Sequence, residues 1–409
     1  MTSDQKQANS HYNVDLHILP EKGSLQAKVE LFYSVLEKPN CYLEFYLHKG
    51  MRIRTVNGNV PLNYRFDVDH PFSFTPGSHI LGIELKRPLE ENELLRLNFE
   101  YGGNIGLTTF EVNRITPSWV ELGLYSPWFP WQPNLGQFSY DVRLQIDPSY
   151  EVVGLGKVDR LDKGLWHISQ SQPSMDMIIM ASNRFQRQRA VVDGLTVELS
   201  YVDETDWVAQ DIFEKALETL RCYIEWFGPI CGNEVKIIIA PRSEGGGYAR
   251  TAFVVVTHIE AESYNKYKIR YLMNIAHECA HLWWTNAPFN SWEDWLNESF
   301  AEYSSLMAVR ELFGMESFQN IIAEKHKRSE GMPPIKGIKR DDEKAFTVLY
   351  DKGCLVLYGL EQMVGKETFL KLLKQTTVQK VSSTEEFLQL VTREVGSEVA
   401  VQLDQMLTS

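Results

Sequence analysis

The most informative stretch of this sequence is Tyr271-Leu-Met-Asn-Ile-Ala-His-Glu-Cys-Ala-His-Leu-Trp-Trp284. It contains neither Gly nor Pro and its flanks are apolar, which predicts a helix. Four residues of helix turn the chain by about 400°, so His277 and His281 would lie about 40° apart on one face. Two imidazoles one turn apart can bind one metal ion, and Glu278 would lean over that ion as a base. The pattern predicts a zinc site, against the alternative of two ordinary helical histidines and a salt-bridging glutamate.

A second segment, Ser291-Trp-Glu-Asp-Trp-Leu-Asn-Glu-Ser-Phe-Ala-Glu-Tyr303, is typical of a loop that enters another helix. A catalytic zinc site has three protein ligands and one open position, and Glu298 is the candidate for the third ligand. Sixteen residues separate it from His281, enough for one helix to end and for the chain to return as another. Glu302 follows one turn later on the same face, where it could accept a hydrogen bond from a ligating histidine. The two segments together predict Zn²⁺ as the cofactor.

These two segments resemble the aminopeptidase N family of gluzincins, which includes the leukotriene hydrolases. The resemblance lies in His277-Glu-x-x-His281 followed by Trp-Leu-Asn-Glu298-x-Phe-Ala. The family usually places 18 residues between the second histidine and the glutamate; this chain has 16, so its connecting loop is expected to be shorter. Larger family members add a helical C-terminal domain, and the resemblance implies a short form without it.

Composition and charge narrow the class of protein. The chain has 409 residues with 44% apolar content, enough for two or three domains with real cores. The net charge of −13 argues against nucleic acid or an anionic membrane as a partner. The first ten residues are polar and no run approaches 18 apolar residues, so we predict neither a signal peptide nor a membrane span. Five scattered cysteines without a C-x-x-C pattern favour a reducing compartment, and the expected location is cytoplasmic.

The first half of the chain has the pattern of a β domain. Segments 13–19, 25–31, 80–85 and 94–100 alternate apolar with polar residues, the period of half-buried strands. Turn sequences separate the strands, among them Asn57-Gly, Thr75-Pro-Gly, Tyr101-Gly-Gly and Asp193-Gly. Short strands joined by turns predict an antiparallel sandwich or saddle.

The period changes near residue 205, where Asp206 to Gly228 has the pattern of a helix that ends at Gly, with Asp203 or Thr205 as its cap. We therefore predict an N-terminal β domain, residues 1–202, and a second domain, residues 203–409. The fold class expected is α+β multidomain, with the antiparallel β-sandwich or saddle followed by a thermolysin-like, mainly helical catalytic domain implied by the resemblance. The charged stretch from Lys325 to Lys344 is predicted to be a surface loop.

A third motif follows in the helical region. Leu349-Tyr-Asp-Lys-Gly-Cys-Leu-Val-Leu-Tyr-Gly-Leu-Glu-Gln-Met363 resembles the Tyr-x-Lys-Gly helix of the same family, whose tyrosine donates a hydrogen bond to the developing oxyanion. A single tyrosine on an apolar helix is usually a core residue. The order of the three motifs along the chain favours a catalytic role for Tyr350.

The resemblance breaks down where the family recognises its substrate. A glycine-rich strand in the family reads Gly-x-Met-Glu-Asn, and its glutamate binds the free α-amine of the substrate. The matching stretch here is Gly246-Gly-Tyr-Ala-Arg, which places Gly246, Gly247, Tyr248, Ala249 and Arg250 at the expected substrate edge, with Ala249 where the glutamate belongs.

Two further substrate contacts are weaker candidates. The carboxylate nearest to Ala249 in the sequence is Glu244. Gln132 lies in the segment Pro127-Trp-Phe-Pro-Trp-Gln-Pro133, whose simpler interpretation is a rigid corner between strands.

The residues predict a zinc metallopeptidase that acts on peptides. Zn²⁺ held by His277, His281 and Glu298 would activate a water molecule, with Glu278 as base and Tyr350 as oxyanion donor. Aminopeptidase-type activity with an atypical amine anchor is the favoured hypothesis. The alternatives are an endopeptidase or other zinc hydrolase on the same scaffold, and a zinc-binding scaffold without turnover.

Overall fold

A computed structural model describes residues 10–34, 41–69, 77–90, 93–106, 112–132, 135–230, 232–242, 244 and 246–409. Part of the predicted turn at residues 75–77, and also Cys231 and Pro133, lie outside the described residues. The chain divides into two compact units, which we call the first unit (Met1–Gln186 with Pro241–Gly245) and the second unit (Arg187–Ala240 with Gly246–Ser409).

The described residues of the first unit form three sheets. Its strands are β1 (Ser10–Leu19), β2 (Ser24–Ser34), β3 (Tyr42–His48), β4 (Met51–Gly58), β5 (Leu62–Asp69), β6 (Ser78–Leu85), β7 (Leu94–Asn104), β8 (Arg114–Ile115), β9 (Val120–Leu122), β10 (Phe138–Gln145), β11 (Glu151–Gly154), β12 (Lys157–Asp162), β13 (Leu165–Ser174) and β14 (Ile179–Ser182). The strand orders are β12-β13-β10-β1-β2-β7-β4, β11-β14-β9-β8 and β3-β6-β5.

The predicted antiparallel β architecture is confirmed, with one exception. The described strand pairs of the first unit are antiparallel apart from β1 and β10, which pair in parallel. Alternation decides which side chains enter the core: on β1, Tyr12, Val14, Leu16 and Ile18 are buried. The segment that contains Gln132 packs into this core through Trp128, which donates Nε1–H to the carbonyl of Met177 at 3.1 Å.

The second unit contains a five-stranded sheet of order β15-β16-β17-β19-β18. Its strands are β15 (Gln186–Val192), β16 (Leu195–Tyr201), β17 (Glu234–Ala240), β18 (Tyr248–Arg250) and β19 (Phe253–Thr257). β16, β17 and β19 run parallel, and β18 pairs antiparallel with β19 at the sheet edge. β16 hydrogen-bonds to β17, and residues 187–202 therefore belong to the second unit. The predicted boundary placed these residues at the end of the first domain.

Seven α-helices complete the described part of the second unit. They are α1 (Asp206–Phe227), α2 (Ala261–Ala280), α3 (Trp295–Ser329), α4 (Gly353–Val364), α5 (Lys366–Val378), α6 (Thr384–Glu394) and α7 (Ser397–Thr408). A π-helical turn, Thr347–Lys352, precedes α4. None of the helices in the described ranges has the length and apolar character needed to cross a bilayer.

Helix α3 is not straight, and its break brings distant residues together. Gly314 has φ 87° and ψ 172°, a left-handed conformation that interrupts the helix and that glycine adopts readily. A straight helix would separate Glu302 from Lys325 by about 35 Å along its axis, yet the two side chains are in contact. The chain therefore reverses direction at Gly314.

The prediction of a surface loop from Lys325 to Lys344 is wrong at its start. Residues 325–329 belong to α3, and Lys325 is 1% exposed. The charged side chain is buried because two carboxylates, those of Glu302 and Asp351, surround its ammonium group. The sequence did not predict the burial of Lys325, because Glu302 and Asp351 are both more than 20 residues away from it.

Candidate active site and metal centre

Helices α2 and α3 bring three candidate ligand atoms together. His277 Nε2 lies 3.2 Å from His281 Nε2 and 3.3 Å from Glu298 Oε2. His281 Nε2 lies 3.5 Å from the same oxygen. Among the described residues, these three side chains are the potential metal ligands whose ligand atoms lie close enough together to hold one metal ion.

The dimensions of this triangle fit a zinc ion. Zinc binds imidazole nitrogen and carboxylate oxygen at about 2.0–2.2 Å in a tetrahedral arrangement, which separates any two ligand atoms by roughly 3.3–3.6 Å. The observed separations are 3.2, 3.3 and 3.5 Å. Oε2 of Glu298 is buried and has no hydrogen-bond partner among the described residues, as expected of an oxygen that faces a metal ion.

The outer nitrogens of both imidazoles are held by hydrogen bonds. His277 donates Nδ1–H to Glu302 Oε2 at 2.8 Å, and His281 donates Nδ1–H to the carbonyl of Trp284 at 3.0 Å. These bonds direct both Nε2 atoms toward Glu298. Burial lowers the pKa of His277, but Glu298 and Glu302 outweigh this and raise it to about 10 in the metal-free chain. The site therefore favours positive charge between the three ligand atoms.

The short loop between α2 and α3 is fixed by Asn297, the residue before the third ligand. Its side-chain amide donates to the carbonyl of Ala287 at 3.0 Å, and its side-chain oxygen accepts from the Ala287 amide at 3.2 Å. The same amide donates to Asp294 Oδ1 at 2.9 Å. Because the loop is tied to the first turn of α3, Glu298 enters the site although this connection is two residues shorter than is usual in the family.

Glu278 lies on α2 between the two histidines, against the backbone of the glycine-rich segment. A Cβ atom at Gly247 would lie 2.6 Å from Glu278 Oε1 and 2.8 Å from its Cδ, so only glycine allows the present approach. Burial raises the pKa of the Glu278 carboxyl, although the two histidines oppose it. A raised pKa suits a carboxylate that accepts a proton from water near neutral pH.

Tyr350 reaches the same centre from the π-helical turn. Its ring stacks on His277 with centroids 5.5 Å apart and planes 11° from parallel, and on Phe346 at 4.2 Å. Burial, and then the negative charge of Glu298, raise the pKa of the Tyr350 phenol well above its usual value. The phenol therefore keeps its proton and can act as a hydrogen-bond donor.

The glycine of the Tyr-x-Lys-Gly motif has a packing role. A Cβ atom at Gly353 would lie 1.9 Å from Ser299 Oγ, so any larger residue would push the turn away from α3. Ser299 donates its hydroxyl to the carbonyl of Leu349 at 2.6 Å and so ties α3 to the turn that carries Tyr350.

Arg340 is a neighbour of the site that the sequence did not reveal. Its Nε lies 2.8 Å from Asp294 Oδ2, and its Nη2 lies 3.7 Å from Glu298 Oε1. Burial opposes the charge of Arg340, but Asp294, Tyr350 and Glu298 raise the pKa of its guanidinium. Arg340 falls in the charged stretch predicted as a loop, and nothing in its local pattern distinguishes it from solvent-exposed arginines.

The predicted substrate edge is strand β18. Ala249 pairs with Val254 of β19, and Arg250 donates Nη1–H to the carbonyl of Ala249 at 2.8 Å. The Arg250 guanidinium carbon lies 5.3 Å from the centre of the Tyr248 ring. Burial raises the pKa of Glu278, and the positive charge of Arg250 partly opposes this rise. Gly246 has a positive φ of 62°, which glycine adopts without strain. Gln132 is buried and Glu244 is exposed, both in the first unit, and their suggested substrate contacts stay predictions.

Part of the chain is similar in sequence to known peptidases. The model of the peptidase family M1 domain matches residues 233–407. Leucine aminopeptidase 2 of Emericella nidulans is 30% identical over 186 residues, which cover 41% of this chain and 29% of that protein. Leucyl aminopeptidase of Saccharolobus solfataricus is 34% identical over 119 residues, 26% of this chain and 15% of that protein. The chain thus spans less than a third of either relative.

Solved structures resemble the chain over nearly its whole length. An M1 zinc metallopeptidase from Deinococcus radiodurans superimposes with a TM-score of 0.70 at 20% identity, and the match covers 98% of this chain and 93% of that one. A mutant of that protein bound to a Tyr-Ser-Ala substrate gives a TM-score of 0.71 at 20% identity, with 97% and 93% covered. At this level of identity the likeness shows the fold, a β region followed by a mainly helical region.

Proposed function

We propose that the chain is a zinc-dependent peptidase of the aminopeptidase N-like gluzincins, peptidase family M1, with Zn²⁺ as its cofactor. The observation that carries the proposal is the triangle of ligand atoms, with edges of 3.2–3.5 Å, beside the half-buried side chain of Glu278. Zinc bound there would lower the pKa of water toward neutrality and polarise a substrate carbonyl.

Each neighbouring side chain has one role in this proposal. Glu278 accepts the proton of the attacking water and then passes it to the leaving amine. Tyr350 donates its hydroxyl to the developing oxyanion, a contact worth about 3–4 kcal/mol in comparable hydrolases. Glu302 holds His277 in the tautomer whose Nε2 faces the metal. Burial of Glu278 and Tyr350 strengthens both interactions, since little water competes with them.

Aminopeptidase-type cleavage is the favoured form of this activity, with an altered amine anchor. Two relatives that match part of the chain are named aminopeptidases, which supports this type. A substrate ammonium in a partly dehydrated pocket needs a carboxylate partner, and Ala249 supplies none. Peptides would instead pair their backbone with the edge strand β18. Gly247, which directly precedes β18, packs its own backbone against Glu278 and so keeps this strand beside the candidate base.

A second candidate, endopeptidase activity, is favoured by Ala249 itself, because an internal peptide bond has no ammonium nearby to anchor. A zinc-binding scaffold without turnover is the third. The test uses one peptide with a free and then a blocked N-terminus, incubated with and without a zinc chelator. Cleavage that the chelator abolishes supports the peptidase. Cleavage of the blocked form at an internal bond, rather than after its first residue, favours the endopeptidase, and no cleavage of either peptide would leave only the scaffold.

We further propose the cytoplasm as the location of the protein. The four cysteines within the described residues, Cys41, Cys222, Cys279 and Cys354, are all free thiols. Free thiols without disulfides are typical of reducing compartments. Fractionation of cells that express the protein at its natural level would test this proposal.

A further inference from the structure

A buried ammonium group lies between two carboxylates beside the candidate site. Lys325 is 1% exposed, and its Nζ lies 2.5 Å from Glu302 Oε1 and 2.6 Å from Asp351 Oδ1. Glu302 also binds His277, and Asp351 directly follows Tyr350 in the chain. The ammonium group thus connects the metal-ligand side of the site with its tyrosine side.

At one end of this connection, Glu302 orients a metal ligand. Its Oε1 accepts from Lys325, while its Oε2 accepts the Nδ1 proton of His277 at 2.8 Å. With one oxygen held by the ammonium group, the carboxylate has one orientation in which the other oxygen reaches the imidazole. A carboxylate free to rotate would hold the His277 ring less firmly, and the ring would present Nε2 to the metal less often.

At the other end, Asp351 anchors the π-helical turn. Arg328 donates Nε–H to Asp351 Oδ2 at 2.7 Å and Nη2–H to Oδ1 at 3.0 Å, and Lys325 shares Oδ1. The position of this turn sets where the Tyr350 ring lies, and that ring stacks on His277. One cation therefore contacts the supports of both side chains in this stack.

We propose that Lys325 is a positioning residue that holds His277 through Glu302 and Tyr350 through Asp351. The alternative is a buried ion pair that only stabilises the fold. Stability alone explains it poorly, because the cost of removing a charged group from water offsets much of the attraction between buried partners. The part that concerns Tyr350 rests on the proposed peptidase function, whereas the part that concerns metal binding does not.

The first experiment measures the dissociation constant of Zn²⁺ by competition with a chromogenic chelator. It uses the full chain as wild type, Lys325→Met, Glu302→Gln and the double variant. Loss of an outer partner of a ligating histidine typically weakens metal binding about 10–100-fold, so we expect about tenfold for Lys325→Met and more for Glu302→Gln. The double variant should bind zinc about as weakly as Glu302→Gln alone, because Lys325 acts through that carboxylate.

Lys336→Met is the matched control, since it removes a lysine whose Nζ lies 3.3 Å from Asp404 in an exposed ion pair. It should leave the zinc constant within about twofold. A lysine that only stabilises the fold lowers the melting temperature of Lys325→Met but leaves its zinc constant unchanged, and that result would overturn the proposal. The proposal would also be overturned if the losses of zinc affinity in Lys325→Met and Glu302→Gln multiplied in the double variant, because the two residues would then act independently.

Asp351→Asn tests the link between Lys325 and Tyr350. This variant also tests the proposal if Lys325→Met does not fold. We expect zinc affinity within about twofold of wild type, because Glu302 keeps its lysine. At saturating zinc, kcat should fall about tenfold with KM nearly unchanged, because Tyr350 is displaced only from its transition-state contact. An unchanged kcat would overturn the coupling to Tyr350. If the wild type cleaves no peptide, the peptidase proposal fails and the zinc constants alone decide the role of Lys325.

Discussion

Helices α2 and α3, which carry or border the candidate metal ligands, and the edge strand β18 both adjoin Glu278. The two regions differ in how closely their neighbours constrain them. On α2 and α3, His277, Glu298 and Glu302 are buried or nearly so and contact one another. Strand β18 is three residues long and lies at the edge of its sheet. A change in the helices leaves a buried polar group unpaired at a cost of about 1–3 kcal/mol or more, whereas side chains at a sheet edge can change with little effect on the fold.

The difference suggests that chemistry and substrate choice can vary separately in this fold. The helix pair carries the His-Glu-x-x-His and Trp-Leu-Asn-Glu-x-Phe-Ala motifs that resemble the aminopeptidase N family, while the edge strand departs from that family's pattern at Tyr248, Ala249 and Arg250. The predictions below test this separation, beginning with the largest expected effect.

Substitution of a metal ligand should abolish both zinc binding and activity. We expect His277→Ala, His281→Ala and Glu298→Gln to weaken zinc binding by more than the roughly 10–100-fold typical of an outer partner. Elemental analysis after gel filtration measures the metal, and a peptide assay measures the activity. Full zinc occupancy in Glu298→Gln would remove that residue from the ligands.

Tyr350→Phe should affect the reaction and spare the metal. Loss of one oxyanion donor lowers kcat by about 10²–10³-fold in other hydrolases, and KM should change little because the contact forms only in the transition state. Zinc content should equal that of wild type. Steady-state kinetics on a peptide substrate measure both constants, and an unchanged kcat would make Tyr350 a core residue.

Gly247→Ala tests the approach of the glycine-rich backbone to Glu278. The added methyl group would lie 2.6 Å from Glu278 Oε1, and the flexible carboxylate would move to avoid it. A displacement of about 1 Å in a catalytic group can cost up to roughly 10²-fold, so we expect kcat to fall about 10–100-fold. Zinc content and melting temperature should stay near the wild-type values. Retention of full kcat would show that the base tolerates this displacement.

The smallest effect is expected at the edge strand. Acetylation of a peptide N-terminus should lower kcat/KM by less than about tenfold, because Ala249 offers no carboxylate to the ammonium group. Ala249→Glu should increase this dependence if it restores an anchor. A loss of about a hundredfold in wild type would mean that another anchor exists, and Glu244→Gln would then be the first variant to compare.

Local patterns predicted the fold and singled out three side chains that the structure brings together, His277, His281 and Glu298. Contacts between residues distant in sequence were not predictable. Period-2 and period-3.6 alternation depend on neighbouring residues, so the β region and α1 were predicted correctly. The parallel pairing of β1 with β10 and the burial of Lys325 depend on residues more than 20 positions away. The reversal of α3 at Gly314 brings Lys325 to Glu302, and a single glycine in the sequence does not predict such a reversal. The position of Arg340 was not predictable either, because its partners Asp294 and Glu298 are more than 40 residues away.

We propose that His277, His281 and Glu298 hold zinc while Glu278 moves the proton. The most direct test measures zinc content and peptide hydrolysis in one preparation of Glu278→Gln, beside wild type. The amide cannot accept a proton from water, so we predict one zinc per chain with turnover nearly lost. Loss of the zinc would make Glu278 a ligand, and full turnover with the zinc in place would contradict its role as the base.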